Sequence, residues 1–276
     1  MAKVIVTDST SYLPLYWAQK YAIKIIPLNI HLHDNVFQEG IDLTNSDYYD
    51  LLRKEPIFPL TSQPSAGQFS EIFKNLQAGD EALVILISSL LSGTVQSALM
   101  AKAMLDNNAI KIDVIDSRSS TIGLGFQVIK ACELMAQGEE VDKIKQELVK
   151  LQQKLKLYFV VDDLEYLFRG GRINHFSKYI ANFLQIKPVL CVENGKIEVF
   201  EKIRTKKKAV NRIIGELRKN LDKIEKAAIT HVDSPDEAAY LHEEIKKFYL
   251  EDIPIIETGP VIGTHVGPGT IGLGFY

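Results

Sequence analysis

Short apolar runs alternate with amphipathic segments through the first half of the chain. Residues 4–7, 24–32, 82–87 and 112–115 are mostly aliphatic and have the length of strands, and the segments after them repeat apolar residues at helical spacing. Strands that are apolar on both faces are typical of a parallel sheet covered by helices on both sides. This half therefore predicts a three-layer α/β/α domain.

The pattern changes after a long amphipathic helix predicted near residues 141–155. A strand is predicted at 158–161, and the tetrapeptide 193–196 (Glu-Asn-Gly-Lys) lies between two apolar runs, which indicates a hairpin turn. Helical patterns then flank a predicted strand at 227–232. A hairpin together with helices predicts an α/β domain with a mixed sheet, so we expect domains at 1–157 and 158–276.

Composition narrows the class of protein. The 276 residues are 46% hydrophobic and 24% charged, as in an ordinary globular protein, and the net charge of -3 argues against general nucleic-acid binding. No apolar run approaches the roughly 18 residues of a membrane span. Asp8 comes too early for a signal peptide, and Cys132 and Cys191 lie far apart in apolar surroundings. We therefore expect a cytoplasmic protein.

The hydroxyl-rich segment Thr61-Ser62-Gln63-Pro64-Ser65 is predicted to form a turn that opens a helix. Ser65 and Gln68 have the spacing of a capping box. The unpaired N–H groups at a helix start, surrounded by hydroxyls, can bind an anion. The alternative at this point is that the hydroxyls only cap the helix and its turn.

Three further hydroxyl-rich segments, at residues 8–11, 88–94 and 116–120, follow predicted strands. The carboxyl ends of parallel strands meet at one edge of a sheet, so we expect all four segments at one rim. The sequence has no Gly-x-Ser-x-Gly elbow and no P-loop, so no serine is paired with an activating base. This favours a site that holds an anion over one that attacks a substrate.

Three groups of histidine and basic residues are weaker candidates for binding or catalytic roles. His265 lies among glycines in Gly263-Thr264-His265-Val266-Gly267-Pro268-Gly269, where it could donate to an anion, titrate near neutral pH, or simply be satisfied in a tight turn. His31 and His33 are predicted on one strand face as half of a metal site, without a second ligand cluster. Six cationic residues lie around a predicted strand-to-helix junction and form either a solvated face or a docking patch. They are Lys202, Arg204, Lys206, Lys207, Lys208 and Arg212.

Eight short motifs occur in order along the chain: Val6-Thr7-Asp8-Ser9, Thr61-Ser62-Gln63-Pro64-Ser65, Ser92-Gly93-Thr94, Asp116-Ser117, Gly123-Leu124-Gly125, Arg169-Gly170-Gly171-Arg172-Ile173, Arg204-Thr205-Lys206 and the segment around His265. Together they resemble the DegV family of bacterial fatty-acid-binding proteins, which includes the acyl-carrier (FakB-type) subunit of fatty acid kinase. The resemblance spans essentially the whole chain.

The resemblance implies a two-domain protein that holds one long-chain fatty acid between its domains and needs no cofactor. Uncharged hydroxyls and a histidine would hold the carboxylate: Thr61, Ser92 and His265, with Thr94 and Ser62 as secondary candidates. Arg172 and Arg204 fall on family arginines that meet the partner kinase. In this family a separate ATP-binding subunit carries out the phosphoryl chemistry, so we expect a non-catalytic carrier whose ligand becomes an acyl-phosphate. Transient contact with a membrane surface is compatible with this role.

Three rival functions follow from the same residues. The first is a small-molecule enzyme with the related dihydroxyacetone-kinase-like fold, in which His265 binds a substrate or acts as an acid or base. The second is an interaction protein that uses the basic residues around Arg204. A metal enzyme built on His31 and His33 ranks last.

Overall fold

The structure is a computed structural model, and it describes residues 2–55, 57–105, 110–173 and 186–276. The strands are β1 Lys3–Asp8, β2 Lys24–Ile26, β3 Asn29–Leu32, β4 Asn35–Gln38, β5 Leu60–Ser62, β6 Glu81–Leu86, β7 Lys111–Asp116, β8 Lys156–Val160, β9 Val189–Glu193, β10 Lys196–Glu201, β11 Ala227–Val232, β12 Ile255–Glu257 and β13 Thr270–Phe275. The α-helices are Leu15–Lys20, Asn45–Lys54, Ala66–Lys74, Thr94–Ala103, Thr121–Ala136, Val141–Lys154, Glu165–Arg169, Lys206–Lys219, Pro235–Lys246 and Pro260–Val266.

The N-terminal part contains a parallel four-stranded sheet with the order β2-β1-β6-β7. Successive residues of β6 point to opposite faces of the sheet. Leu83 and Ile85 pack into one core with the helices Thr121–Ala136 and Val141–Lys154, and Val84 lies in a second core with residues of two other helices. The predicted α/β/α arrangement is therefore confirmed.

The C-terminal part contains a mixed six-stranded sheet with the order β10-β9-β8-β13-β11-β12. The helices Lys206–Lys219 and Pro235–Lys246 cover one of its faces. The predicted hairpin is confirmed, because β9 and β10 pair antiparallel. Asn194 and Gly195, which connect them, have φ angles of 50° and 84°, as a two-residue turn between twisted strands requires. The sheet begins at Lys156, close to the predicted domain boundary.

A small antiparallel sheet with the order β4-β3-β5 was not predicted. The single strand predicted at 24–32 is wrong, because Pro27 separates β2, which joins the parallel sheet, from β3, which joins the small one. A proline cannot donate the ladder hydrogen bond that a continuous strand needs. Thr61 and Ser62 also belong to β5, opposite β3, and not to a turn.

The capping box that was predicted from Ser65 and Gln68 is confirmed. The Ser65 hydroxyl accepts a hydrogen bond from the backbone N–H of Gln68 at 3.2 Å, and the Gln68 side chain accepts one from the N–H of Ser65 at 2.9 Å. The Ser65 hydroxyl is thus used by its own helix. Within the described ranges, no helix is long and apolar enough to cross a membrane.

The strand ends that were predicted to share a rim do lie together. The Asp8 carboxylate, at the end of β1, accepts a 2.7 Å hydrogen bond from the N–H of Ile87, which follows β6. The N–H of Ser88 in turn donates to the carbonyl of Ser119, which follows β7, at 2.8 Å. The three segments therefore form one continuous edge.

Candidate functional site

A cavity is bounded by residues in or next to all three sheets. It encloses about 850 Å³ in total, including the part that is open to solvent. Much of its wall is apolar and includes Leu28, Leu157, Phe159, Val192 and Val261. Its polar lining residues are Thr61, Ser62, Gln63, Ser92, Ser120, Thr121, Arg172, Thr230, His231, Thr258, His265 and Thr270.

Thr61 and His265 meet in the wall of this cavity although 204 positions separate them in the sequence. The Thr61 hydroxyl and Nε2 of His265 are 2.7 Å apart. Thr61 is presented by β5, and His265 lies near the end of the helix Pro260–Val266. The structure therefore brings two of the three main predicted carboxylate ligands into direct contact.

His265 is neutral at ordinary pH. Burial, assisted by the positive charge of Arg172, lowers the pKa of its imidazole to about 3. Its Nδ1 is buried without a hydrogen-bond partner among the described residues and lies against Gly170. Because orphaned buried donors are rarer than orphaned acceptors, this favours the tautomer in which Nε2 carries the proton. Nε2–H then donates to Thr61, and the Thr61 O–H is left to donate into the cavity.

Ser92 lines the cavity just before the helix Thr94–Ala103, and its hydroxyl is 2.8 Å from that of Thr94. Thr94 is fully buried and supports Ser92 from behind. Ser62 differs, because neighbouring strand residues point to opposite faces. Its hydroxyl is 2.8 Å from Nε2 of His31 and takes no part in the Thr61–His265 pair.

Arg172, which was predicted for partner docking, also lines the cavity. Its guanidinium donates to the carbonyl of Leu91 at 3.3 Å and to the carbonyl of Gly170. Burial lowers its pKa, but a guanidinium stays charged at neutral pH. The cavity therefore carries one positive charge beside the hydroxyl and histidine groups. Arg204, by contrast, is exposed ahead of the helix Lys206–Lys219.

The helix that carries His265 is anchored at its start by a buried acid. Oε1 of Glu39 accepts a hydrogen bond from the N–H of Val261 at 2.7 Å, and the Tyr12 hydroxyl accepts one from the N–H of Ile262 at 3.2 Å. The Ser9 hydroxyl donates to the other Glu39 oxygen at 2.5 Å. Burial raises the pKa of Glu39 to about 7. This carboxylate takes the place of a cap, since Gly259 has no side chain to supply one.

Two buried tyrosines hold the same helix from the side. The Tyr48 hydroxyl is 2.6 Å from that of Thr264, and the Tyr49 hydroxyl donates to the carbonyl of Thr258 at 3.2 Å. Both rings are almost fully buried on the helix Asn45–Lys54. The position of His265 therefore depends on residues from the first fifth of the chain.

Sequence reasoning missed Glu39, Tyr12, Tyr48 and Tyr49 as supports of the site. Their partners are backbone groups or hydroxyls more than 200 positions away, and no spacing rule reports such a contact. The sequence around Glu39 gives no local signal either, because Glu39 is a buried acid in a segment whose neighbouring residues are mostly exposed.

The predicted metal half-site is not assembled. β3 ends at Leu32, and His33 follows with a φ of 52° and pairs with Glu55, whereas His31 contacts Ser62. Over the described ranges, no group of three or more His, Cys, Asp or Glu side chains could hold a metal ion.

The basic run is partly neutralised by neighbouring acids. Lys206 pairs with Asp162 at 2.8 Å and with Glu237, and Arg212 pairs with Glu201 at 2.6 Å and with Glu216. Lys207 and Lys208, like Arg204, are exposed. Any docking patch here is therefore smaller than the sequence alone indicates.

Comparison with known proteins finds a family model that matches nearly the whole chain. The model of the family described as "Uncharacterised protein, DegV family" matches residues 3–276. A DegV domain-containing protein from Clostridium acetobutylicum is 38% identical over 281 residues, which cover all of this chain and 98% of the relative.

Solved structures also match this chain over nearly its whole length. The structure of a fatty acid binding DegV family protein from Thermus thermophilus has a TM-score of 0.91 at 31% identity, and covers 100% of this chain and 99% of its own. The crystal structure of DegV, a fatty acid binding protein from Bacillus subtilis, has a TM-score of 0.91 at 35% identity with the same coverage. The mixed sheet and the parallel sheet thus belong to a fold with known structural relatives.

Proposed function

Because the chain belongs to the DegV family, we propose that it binds one long-chain fatty acid in the cavity, between the two predicted domains. The observation that carries this proposal is the hydrogen-bonded pair of Thr61 and His265 in a wall that is otherwise largely apolar. An amphipathic ligand with one polar end fits such a lining. The fatty acid binding of the Thermus and Bacillus relatives supports it.

In this proposal the carboxylate is held by the hydroxyls of Thr61 and Ser92. His265 donates to Thr61 and so directs the Thr61 O–H toward a carboxylate oxygen, while Thr94 supports Ser92. Neutral donors bind the oxygens without locking them in an ion pair, which suits a carboxylate that must later accept a phosphoryl group. The charge of Arg172 in the same wall offsets part of the cost of burying the anion.

Most of the affinity would come from the acyl chain. Burial of a sixteen-carbon chain at about 0.8 kcal/mol per CH₂ favours binding by roughly 12 kcal/mol before ordering costs. The polar groups then fix the orientation of the ligand, and the apolar wall supplies the free energy. Removal of one hydroxyl should therefore weaken binding without abolishing it.

The carrier would present the carboxylate, in the cytoplasm, to the ATP-binding subunit of a fatty acid kinase, and would need no cofactor of its own. A histidine whose pKa is about 3 is a poor acid or base at neutral pH. This supports a holding role for His265 against the alternative of a small-molecule enzyme. Arg172 and the exposed Arg204 remain the proposed docking residues.

Native mass spectrometry of the purified protein tests the ligand. We expect one bound long-chain fatty acid, or uptake of added palmitate or oleate. Thr61→Val should weaken that binding about tenfold, the effect of one lost hydrogen bond to a charged group. Ser62→Ala removes the neighbouring lining hydroxyl, which contacts His31, and should weaken binding less than Thr61→Val does. A protein that neither carries nor takes up fatty acid would refute the proposal.

Substitution of Arg172 and of Arg204 distinguishes fatty acid binding from docking of the kinase subunit. With ATP and a fatty acid kinase ATP-binding subunit, Arg204→Gln should lower acyl-phosphate formation and leave fatty acid affinity unchanged. Arg172→Gln should lower both, because Arg172 lines the cavity. Undiminished turnover in both variants would count against the kinase partnership.

A further inference from the structure

Eight hydroxyl-bearing residues line the cavity: Thr61, Ser62, Ser92, Ser120, Thr121, Thr230, Thr258 and Thr270. Six of these side chains have hydrogen-bond partners within the protein. Besides the contacts given above, the hydroxyls of Thr230 and Thr258 are 2.5 Å apart, and that of Thr270 donates to the carbonyl of Val266 at 2.9 Å. Ser120 and Thr121 are the two exceptions in the described part of the chain.

The local geometry of Ser120 sets it apart from an ordinary helix cap. Ser120 is the N-cap of the helix Thr121–Ala136, yet its hydroxyl caps none of the helix N–H groups. A serine at this position normally accepts such a bond. Its carbonyl, by contrast, takes part normally and accepts from the N–H of Gly123 at 3.0 Å. The side chain has therefore turned from its usual partner, and it lines the cavity.

Thr121, the next residue, is held in a strained conformation. Its φ is 47°, in the left-handed region where a β-branched residue is an outlier. Such strain persists where the surroundings impose it, and it clusters at binding sites. Ser120 is 7% exposed and Thr121 6% exposed, and both line the cavity, so a ligand bound there lies beside their hydroxyls.

A plain alkyl chain cannot satisfy these hydroxyls, since it has no donor or acceptor. The two hydroxyls and the first N–H groups of the helix offer both donors and acceptors and carry no charge, which matches a hydroxyl or oxo group. We infer that Ser120 and Thr121 form a second polar subsite that binds an oxygen substituent on the acyl chain, so that oxygenated fatty acids are preferred ligands. This inference rests on the proposed fatty acid binding and names its substrate class.

A competition assay tests the subsite. Stearate and a series of octadecanoic acids, each with one hydroxyl at a different chain position, would displace a fluorescent fatty acid from the intact protein. We expect at least one positional isomer to bind about tenfold more tightly than stearate, the discrimination that one buried hydrogen bond gives. Thr121→Val and Ser120→Ala should each reduce that advantage, so that the ratio of the affinity for the isomer to the affinity for stearate falls in both variants.

Thr230→Val is the matched control, because it removes a lining hydroxyl that already has a partner. It should change the affinities for stearate and for the preferred isomer equally. Stearate binding at least as tight as that of every isomer would overturn the subsite alone, as would an isomer preference that survives in both variants. Failure of all fatty acids to bind would overturn the proposed function together with it.

Discussion

The buried carboxyl of Glu39 should make the stability of the protein depend on pH in a specific direction. Burial raises its pKa from the ordinary value of 4.5 to about 7. Between these values the folded chain holds a proton that the unfolded chain has lost. Its contribution to the free energy of unfolding is therefore greatest below pH 4.5 and is lost as the pH rises through about 7.

The size of the effect follows from the two pKa values. A tenfold change in an ionisation constant corresponds to about 1.4 kcal/mol, so the interval from 4.5 to 7 corresponds to about 3 kcal/mol. Glu39→Gln keeps an acceptor for the N–H of Val261 and cannot ionise. The free energy of unfolding of the variant, relative to wild type, should therefore rise by about that amount between pH 4 and pH 8.

Urea unfolding at a series of pH values, without added ligand, would measure the difference curve. Glu71→Gln controls for the loss of a negative charge at an exposed helix position. If the curve for Glu39→Gln does not rise above that of this control, or slopes the other way, then burial does not raise the pKa of this carboxyl and the reasoning fails.

Two further substitutions test the surroundings of His265. A Cβ atom on Gly170 would lie 2.5 Å from Nδ1 of His265, so Gly170→Ala should displace the imidazole. A displacement assay should then show fatty acid binding weakened severalfold. Gly215→Ala is the control, because a Cβ atom there meets open space, and it should leave binding unchanged. Equal affinities in the two variants would contradict this. Tyr48→Phe removes a buried hydroxyl that is hydrogen-bonded to the helix carrying His265. Urea unfolding should show a free energy of unfolding lower by about 1–3 kcal/mol. The control Tyr240→Phe, at a 44% exposed site, should change that free energy by less than about 0.5 kcal/mol. Comparable losses would show that the buried bond has no special weight.

Local patterns in the sequence predicted the local structure well. The capping box of Ser65 and Gln68 and the turn at Asn194 and Gly195 were confirmed because each is decided by residues within a few positions of one another. The strand predicted at 24–32 failed for the opposite reason. Its apolar pattern continues across Pro27, and only pairing with different sheets shows that two strands are present.

The candidate site was predictable in part. Thr61, Ser92 and His265 were named from motifs, and the structure places all three on one cavity. The position of Arg172 beside them was not expected, because the path of the chain decides whether an arginine after a Gly-Gly turn points outward or inward. The role of Glu39 could not be predicted because its partner is the backbone N–H of Val261, a group that every residue except proline carries.

The place of β13 in the mixed sheet bears on how the protein is made. This strand, Thr270–Phe275, lies between β8 and β11. The six-stranded sheet therefore stays divided into two separate groups of strands until β13 has been added. During synthesis the parallel sheet, which ends with β7, can assemble much earlier. Until β13 enters, β8 and β11 expose unpaired edges, which are prone to pairing with other chains. The strands β8 and β11 are thus open to misassembly until β13 has been synthesised and has inserted between them.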